Sequence, residues 1–283
     1  MTGATGERLQ RWGLMVPALG ALAFVLVYPL LTSLWLSLHR FILVFDERKF
    51  VGVDQYAFLL TDARFWGALG NTVYFTAVAL VLEVVIGLGL ATLMNQPFRG
   101  QGLLRAAVLV PWAIPTVVSA KLWAWLFHPE LGWLVPEGAN WLGSPTQAMH
   151  AAITVDVWKT SPFVALLLLA GLQGISEDVY QAARLDGASA LRIFRSITLP
   201  MLAPVLGVTA LMRALDAFRV FDAIYVLTEG GPANTTETLS IYTYKTLMRA
   251  GDFGYGSTLA IATFVCAALL TALGVGLMNR RRR

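Results

Sequence analysis

Residues 71–94 read NTVYFTAVALVLEVVIGLGLATLM, with Glu83 as the one ionisable side chain. About twenty residues of helix are enough to cross a hydrocarbon core of roughly 30 Å, so this stretch can span a bilayer. Its apolar residues form a block rather than the stripe that a surface helix of a water-soluble fold would show. Glu83 lies near the middle of the block, where a carboxylate is costly and must find a partner inside the protein. Lys121, in a later apolar stretch, is its candidate partner.

The same reading recurs outward from this stretch. Blocks at about 13–38, 71–94, 105–127, 150–172, 201–228 and 256–278 predict six transmembrane helices, and hence an all-α membrane protein with 1–283 as a single transmembrane domain. Composition agrees, with 57% hydrophobic and 13% charged residues and a mean hydropathy of +0.65, far from a soluble average. The first block follows Arg8 and Arg11, as a signal peptide would. It runs from Gly13 to Leu38 with no small-x-small site to close it, so it is expected to be a retained span. The net charge of +4 does not call for nucleic acid, because the run Arg280 to Arg283 adjoins an apolar block and fits membrane orientation better. With the N-terminus placed inside, eleven lysines and arginines fall on the cytoplasmic side and six outside, which puts both termini in the cytoplasm. Trp133, Pro136, Gly138, Trp141, Gly143 and Pro145 suit turns at the membrane surface.

Several blocks contain residues that hydropathy alone would not place there. Asp156 and Lys159 lie three apart in the fourth, with Trp158 and Phe163 close by; Arg213, Asp216 and Arg219 lie three apart in the fifth. Spacing of three places each set on one helix face. Two readings are open: the charges pair across helices and fix the fold, or they and the neighbouring rings bind a hydroxyl-rich ligand in a wet cavity. Pro111, Trp112 and Pro115 predict a kinked third span near a cytoplasmic gate. His39, His128 and His150 are too scattered for a metal site, and the lone Cys266 sits in an apolar block as a small packing residue. No metal or cofactor is expected.

The longest informative polar interval, 173–200, reads GISEDVYQAARLDGASALRIFRSITLP from Gly174. Ser176 is a good N-cap, and Glu177 and Asp178 follow in the first turn, where the helix dipole favours negative charge. Gly187 can adopt the left-handed conformation that ends a helix, and Ser189 begins a second one. Each short helix has an apolar stripe: Val179, Ala182 and Ala183, then Leu191, Phe194 and Ile197. Periodicity allows the stripe to pack on the chain's own spans or on another protein.

Within that interval, Gln181-Ala182-Ala183, three residues, Gly187, nine residues, then Ile197-Thr198-Leu199-Pro200 resembles the signature of the inner-membrane permeases of ABC importers. Gln181 stands where that family usually has glutamate. The resemblance implies a type I importer permease fold. It implies that 173–200 is a coupling loop docking on an ATPase, with Gln181, Ala182, Ala183, Asp186, Gly187, Ile197, Leu199 and Pro200 as its functional residues. The segments DVWKTSPF from Asp156 and LDAFRVFDAIYVLTEGGP from Leu215 look most like the first permease of maltose- and trehalose-type importers. That likeness carries sugar-contact positions onto Asp156, Lys159, Phe163, Arg213 and Asp216. It also implies a second permease subunit in a heterodimer, two ATP-binding cassette subunits, and an extracytoplasmic sugar-binding protein, all assembled in the cytoplasmic membrane lipid.

The chain has no GxxxxGK[ST] phosphate loop, so it is expected to hydrolyse nothing itself. A secondary transporter should show a paired repeat of broken helices, and a membrane enzyme should show a catalytic cluster; neither pattern is legible. A structural scaffold gives no reason for the loop's spacing.

Overall fold

The computed structural model describes residues 3–136 and 138–280; Arg281, Arg282 and Arg283, counted above toward orientation, lie outside the described residues. Among the described residues five helices are long and apolar enough to cross a membrane, and there are six if the bent pair Gln101–Ala113 with Thr116–Leu126 is counted as one span. The chain folds as two compact units.

The first unit comprises Met1–Ala63 and Tyr242–Val265. Helix α1 (Gly3–Ser37) contains Pro17 and Pro29, and the most apolar stretch within Met15–Ser37 buries nothing inside the protein, as suits a helix solvated by lipid, while Ser37 at its end is fully buried. A hairpin follows, β1 (His39–Ile42) antiparallel to β2 (Glu47–Phe50), with His39 opposite Phe50 and Ile42 opposite Glu47. This small sheet is an addition to the all-helical expectation, since strands of four residues leave little period to read. Helix α2 (Asp54–Thr61) closes onto it: Gln55 Nε2 donates to the carbonyls of Ser37 and His39 at 3.0 and 2.9 Å. The Asp62 carboxylate accepts from the hydroxyls of Tyr242 and Tyr255 at 2.7 and 2.6 Å.

The second unit comprises Arg64–Ile241 and Cys266–Arg283. It holds most of α3 (Ala63–Asn95), the pair α4 (Gln101–Ala113) and α5 (Thr116–Leu126), and α6 (Pro145–Gln173). Two short helices, α7 (Glu177–Leu185) and α8 (Ala190–Ile193), lead into α9 (Leu199–Phe218) and α10 (Asp222–Leu227). After α11 (Leu239–Tyr244), the final helix α12 (Phe253–Arg280) brings its later turns back into this unit. The axis of the unit is α6, whose Val155, Ala165 and Leu168 are fully buried in two apolar clusters, one around Phe75 and Ile224 and the other around Met94 and Leu202.

The proline expectation for the third crossing holds, and the break is sharper than a kink: α4 and α5 meet at 91°. Pro115 offers no N–H, and Ile114 before it is extended at φ −73°, ψ 134°, the region a residue preceding proline prefers. The fifth crossing differs from its expected 201–228. It begins earlier, as one helical run from Ala190, and ends at Phe218. Arg219 and Phe221 depart from helical geometry before α10 restarts at Asp222.

Close approach of helices depends on small residues, because lipid gives no hydrophobic drive for helices to associate. A Cβ on Gly87 of α3 would lie 2.5 Å from Val164 Cγ1 and 2.8 Å from Val164 Cβ on α6. Gly89, two residues on, faces open space. Gly87→Ala is expected to lower stability by about 1–3 kcal/mol through overpacking, whereas Gly89→Ala should be neutral or stabilising by up to about 1 kcal/mol. Thermal unfolding of the two variants in the same detergent checks this, and equal melting temperatures would count against the close crossing.

Candidate functional site

Glu83 is fully buried on α3. Its partner is Arg213 on α9 rather than Lys121, which is exposed. Arg213 Nε donates to Glu83 Oε2 at 2.8 Å and Nη2 donates to Oε1 at 2.9 Å, the two-pronged geometry a planar guanidinium makes with a carboxylate. Thr160 of α6 stands 2.6 Å from Glu83 Oε1 and 2.6 Å from the Asp156 carbonyl, and its one hydroxyl proton serves either.

The same guanidinium reaches two further acids, Asp156 Oδ2 at 3.4 Å and Asp216 Oδ2 at 3.5 Å. Asp216 in turn accepts from Arg219 Nη2 at 3.0 Å. The network grades from a sealed end to an open one: side-chain exposure is 0% at Glu83, 6% at Arg213, 14% at Asp156, 46% at Asp216 and 65% at Arg219. Three helices therefore meet on one arginine. The sites nominated from sequence divide in two. Asp156, Arg213 and Asp216 belong to this network, together with Glu83, which sequence reasoning assigned elsewhere.

Lys159 and Phe163 sit against the break in the third crossing. Lys159 Nζ donates to the carbonyls of Ile114 at 2.6 Å and Trp112 at 3.2 Å. These carbonyls are left without helical donors where α4 stops at proline, so the ammonium caps them. Phe163 stacks on Trp112 with ring centres 5.5 Å apart and planes 15° apart. On α5, Ser119 Oγ and Trp123 Nε1 are buried without a hydrogen-bond partner among the described residues. They lie one turn apart, and the Trp123 ring is edge-on to Trp158 of α6.

The 173–200 interval is two helices around a glycine. Ser176 Oγ accepts from the Asp178 N–H and Ser189 Oγ from the Arg192 N–H; Gly187 has φ +74°. Where the interval joins α9 the helix widens to a π turn, Phe194–Thr198, with the Leu199 N–H donating to the Phe194 carbonyl. Pro200 explains the widening: its ring crowds the carbonyl four residues back and it has no N–H to give. The expected apolar stripe is only partly covered. Ala183 is buried, but Val179 is 36%, Leu191 58% and Leu185 90% exposed. A cavity of about 490 Å³ lies under the interval, between the end of α3 and the two short helices, lined among others by Asn95, Gln96, Tyr180, Arg184 and Phe194.

Five or six candidate membrane helices among the described residues, buried charges paired among them and a polar two-helix interval with exposed apolar side chains fit a transport protein of the permease class. The chain belongs to the family described as the inner membrane component of binding-protein-dependent transport systems, whose sequence profile matches residues 83–283. It is 41% identical over 276 residues to the trehalose/maltose transport system permease protein MalF of Thermococcus litoralis, covering 95% of this chain and 93% of that one. It is 39% identical over 277 residues to the trehalose transport system permease protein SugA of Mycobacterium tuberculosis, covering 96% and 90%. In fold it is similar to a chain of a bacterial ABC transporter involved in the import of the acidic polysaccharide alginate, with a TM-score of 0.84 at 20% identity, covering 97% of this chain and 96% of that one.

Glu83→Ala removes the partner from a buried guanidinium and is expected to cost about 3–5 kcal/mol. Asp216→Ala, at the half-exposed end, should cost about 1 kcal/mol or less. Denaturation midpoints of the two purified variants check the ranking, and a Glu83→Ala protein as stable as the parent would remove the fork from the structural account.

Proposed function

We propose that this chain is one of two unlike permease subunits of an ATP-driven importer, passing a sugar of the trehalose or maltose kind across the cytoplasmic membrane after an extracytoplasmic binding protein delivers it. On this reading 1–283 works as one permease domain with both termini in the cytoplasm, and the chain takes its energy from two ATP-binding cassette subunits. The observation that carries the reading is the network on Arg213. It gathers carboxylates and a guanidinium, groups that bond sugar hydroxyls, at the positions expected for cargo contact: Asp156, Arg213 and Asp216. Lys159 and Phe163 extend it toward the break in the third crossing, and the partnerless Ser119 and Trp123 are two further donors on the adjacent helix. Buried donors without partners are scarce in native proteins, and a hydroxyl-rich cargo would satisfy them. The curated relatives described above, named for trehalose and maltose, support the sugar assignment.

The 173–200 interval is proposed as the coupling loop, with Gln181, Ala182, Ala183, Asp186 and Gly187 at the docking surface and Ile197, Leu199 and Pro200 at its root. Leu185 and Leu191 support this, because large apolar side chains left exposed on short polar helices invite a covering partner. Gln181 can hydrogen-bond to the ATPase but contributes no charge.

Leu185→Asp should leave the chain's own stability within about 0.5 kcal/mol, since the side chain touches little, while abolishing co-purification of the ATPase and sugar-stimulated ATP hydrolysis. Uptake by the parent complex should be blocked by vanadate and survive a protonophore. Uptake that collapses with the proton gradient and ignores vanadate would replace this reading with a secondary transporter.

A further inference from the structure

Every cation at the candidate cargo site is already engaged by an acceptor of the chain itself. Arg213 spends two donors on Glu83, Arg219 is bonded to Asp216, and Lys159 is turned onto the carbonyls of Trp112 and Ile114. The carboxylates are less evenly served. Glu83 takes the close fork, and Asp156 and Asp216 are left at 3.4 and 3.5 Å from the same guanidinium. A ligand arriving at the open end of this network meets half-exposed Asp216 and nearly buried Asp156 before it meets any cation without a partner.

We infer that the network selects cargo by charge: it admits uncharged sugars, whose hydroxyls donate to Asp156 and Asp216, and rejects sugars bearing a carboxylate. Glu83 is then a specificity-determining residue that never touches cargo. By engaging Nε and Nη2 of Arg213 from behind, it denies an acidic sugar a bidentate hold on that guanidinium, while Asp216 engages the other, Arg219. Asp216, half-exposed at the open end, adds a repulsion of its own against a cargo carboxylate. The inference rests on the sugar reading above and narrows it. It matters because the fold itself is indifferent to cargo charge, as its likeness to a transporter for an acidic polysaccharide shows.

The test uses the assembled transporter in lipid nanodiscs without the binding protein, so that only the permease pair selects. Trehalose is compared with the same disaccharide carrying one primary hydroxyl oxidised to a carboxylate, a probe of nearly equal size. The parent complex should bind the acid at least about tenfold more weakly, equivalent to about 1.4 kcal/mol. Glu83→Gln keeps an acceptor for Arg213 but removes the carboxylate of its closest ion pair, and Asp216→Asn removes a carboxylate at a half-exposed position that tolerates change. Each should bring the two dissociation constants to within about threefold of each other, by strengthening binding of the acid. Should Glu83→Gln fail to assemble, Asp216→Asn decides alone.

Equal binding of both probes by the parent complex overturns the charge selection and leaves the sugar reading standing. Discrimination that survives in the variants moves selection to other residues and overturns the role of Glu83 and Asp216. If neither probe binds and no sugar drives uptake with the binding protein present, the sugar reading itself fails and takes this inference with it.

Discussion

The guanidinium of Arg213 has to be satisfied where water cannot reach it, and the second unit is arranged around that need. A charged group moved into a low-dielectric interior loses several kcal/mol of hydration. The loss is offset only if its donors all point at acceptors in good geometry. Glu83 provides that from α3 with a two-point fork, and Asp156 and Asp216 add weaker contacts from α6 and α9. Buried pairs of this kind are poor sources of net stability, since an apolar replacement of equal volume often does as well. What the fork fixes is register: sliding α3 or α9 by one residue would separate the carboxylate from the guanidinium and leave both bare. Close crossing at Gly87 against Val164 of α6 serves the same register by shape, so charge and packing agree on one arrangement.

The helices that carry this network are interrupted where proline forbids continuation, and each interruption is put to use. At Pro115 the third crossing turns by 91°, and the exposed carbonyls receive the Lys159 ammonium. At Pro200 the turn widens without breaking, so α8, the π turn and α9 stay one helical run from Ala190 to Phe218. At about 1.5 Å per residue, that run places Arg213 roughly 35 Å from the loop helix that begins it. A run of unbroken helix is stiff in the way short loops are not. A displacement imposed on the exposed Leu191 end is therefore felt at Arg213, where the fork to Glu83 resists it. The loop and the charge network are thus joined by one helical run, the kind of link that the coupling role proposed for the loop would need.

How much of this was legible in the sequence depended on the range of the interaction involved. Helix spans were read well because hydropathy is a sum over neighbours, and a block such as residues 71–94 carries its signal locally. The caps at Ser176 and Ser189 and the left-handed Gly187 were likewise local, since a cap bonds two or three residues away. Glu83 was flagged as anomalous but paired with the wrong cation. Its partner lies 130 residues along the chain, and no periodicity encodes which of several distant cations will arrive. The end of the fifth helix at Phe218 was missed for a related reason. Residues 219–228 carry no proline or glycine to mark a stop, which shows only in the backbone, where Arg219 and Phe221 leave helical geometry and the Arg219 N–H donates to the Asp216 carbonyl three residues back. The hairpin of His39–Ile42 with Glu47–Phe50 is too short for alternation to show.

The comparison with the alginate transporter chain separates what the fold decides from what the side chains decide. At 20% identity the two chains superpose with a TM-score of 0.84, so the course of the backbone survives replacement of four residues in five. Helix lengths, the order of crossings and the loop outside the membrane are set by apolar blocks and breaks, which many sequences can supply. Cargo selection cannot reside at that level, because a fold shared so broadly is not a description of what is carried. On the reading proposed above, it resides in the charged groups that the helices bring together. In this chain those groups are Glu83, Asp156, Arg213 and Asp216, held in one hydrogen-bonded set by three different helices. Burial of Glu83 and Arg213 is tolerable only while the two satisfy each other. On that proposal selectivity is a property of the set, with Glu83, which would not meet the cargo, as much a part of it as Asp156 and Asp216.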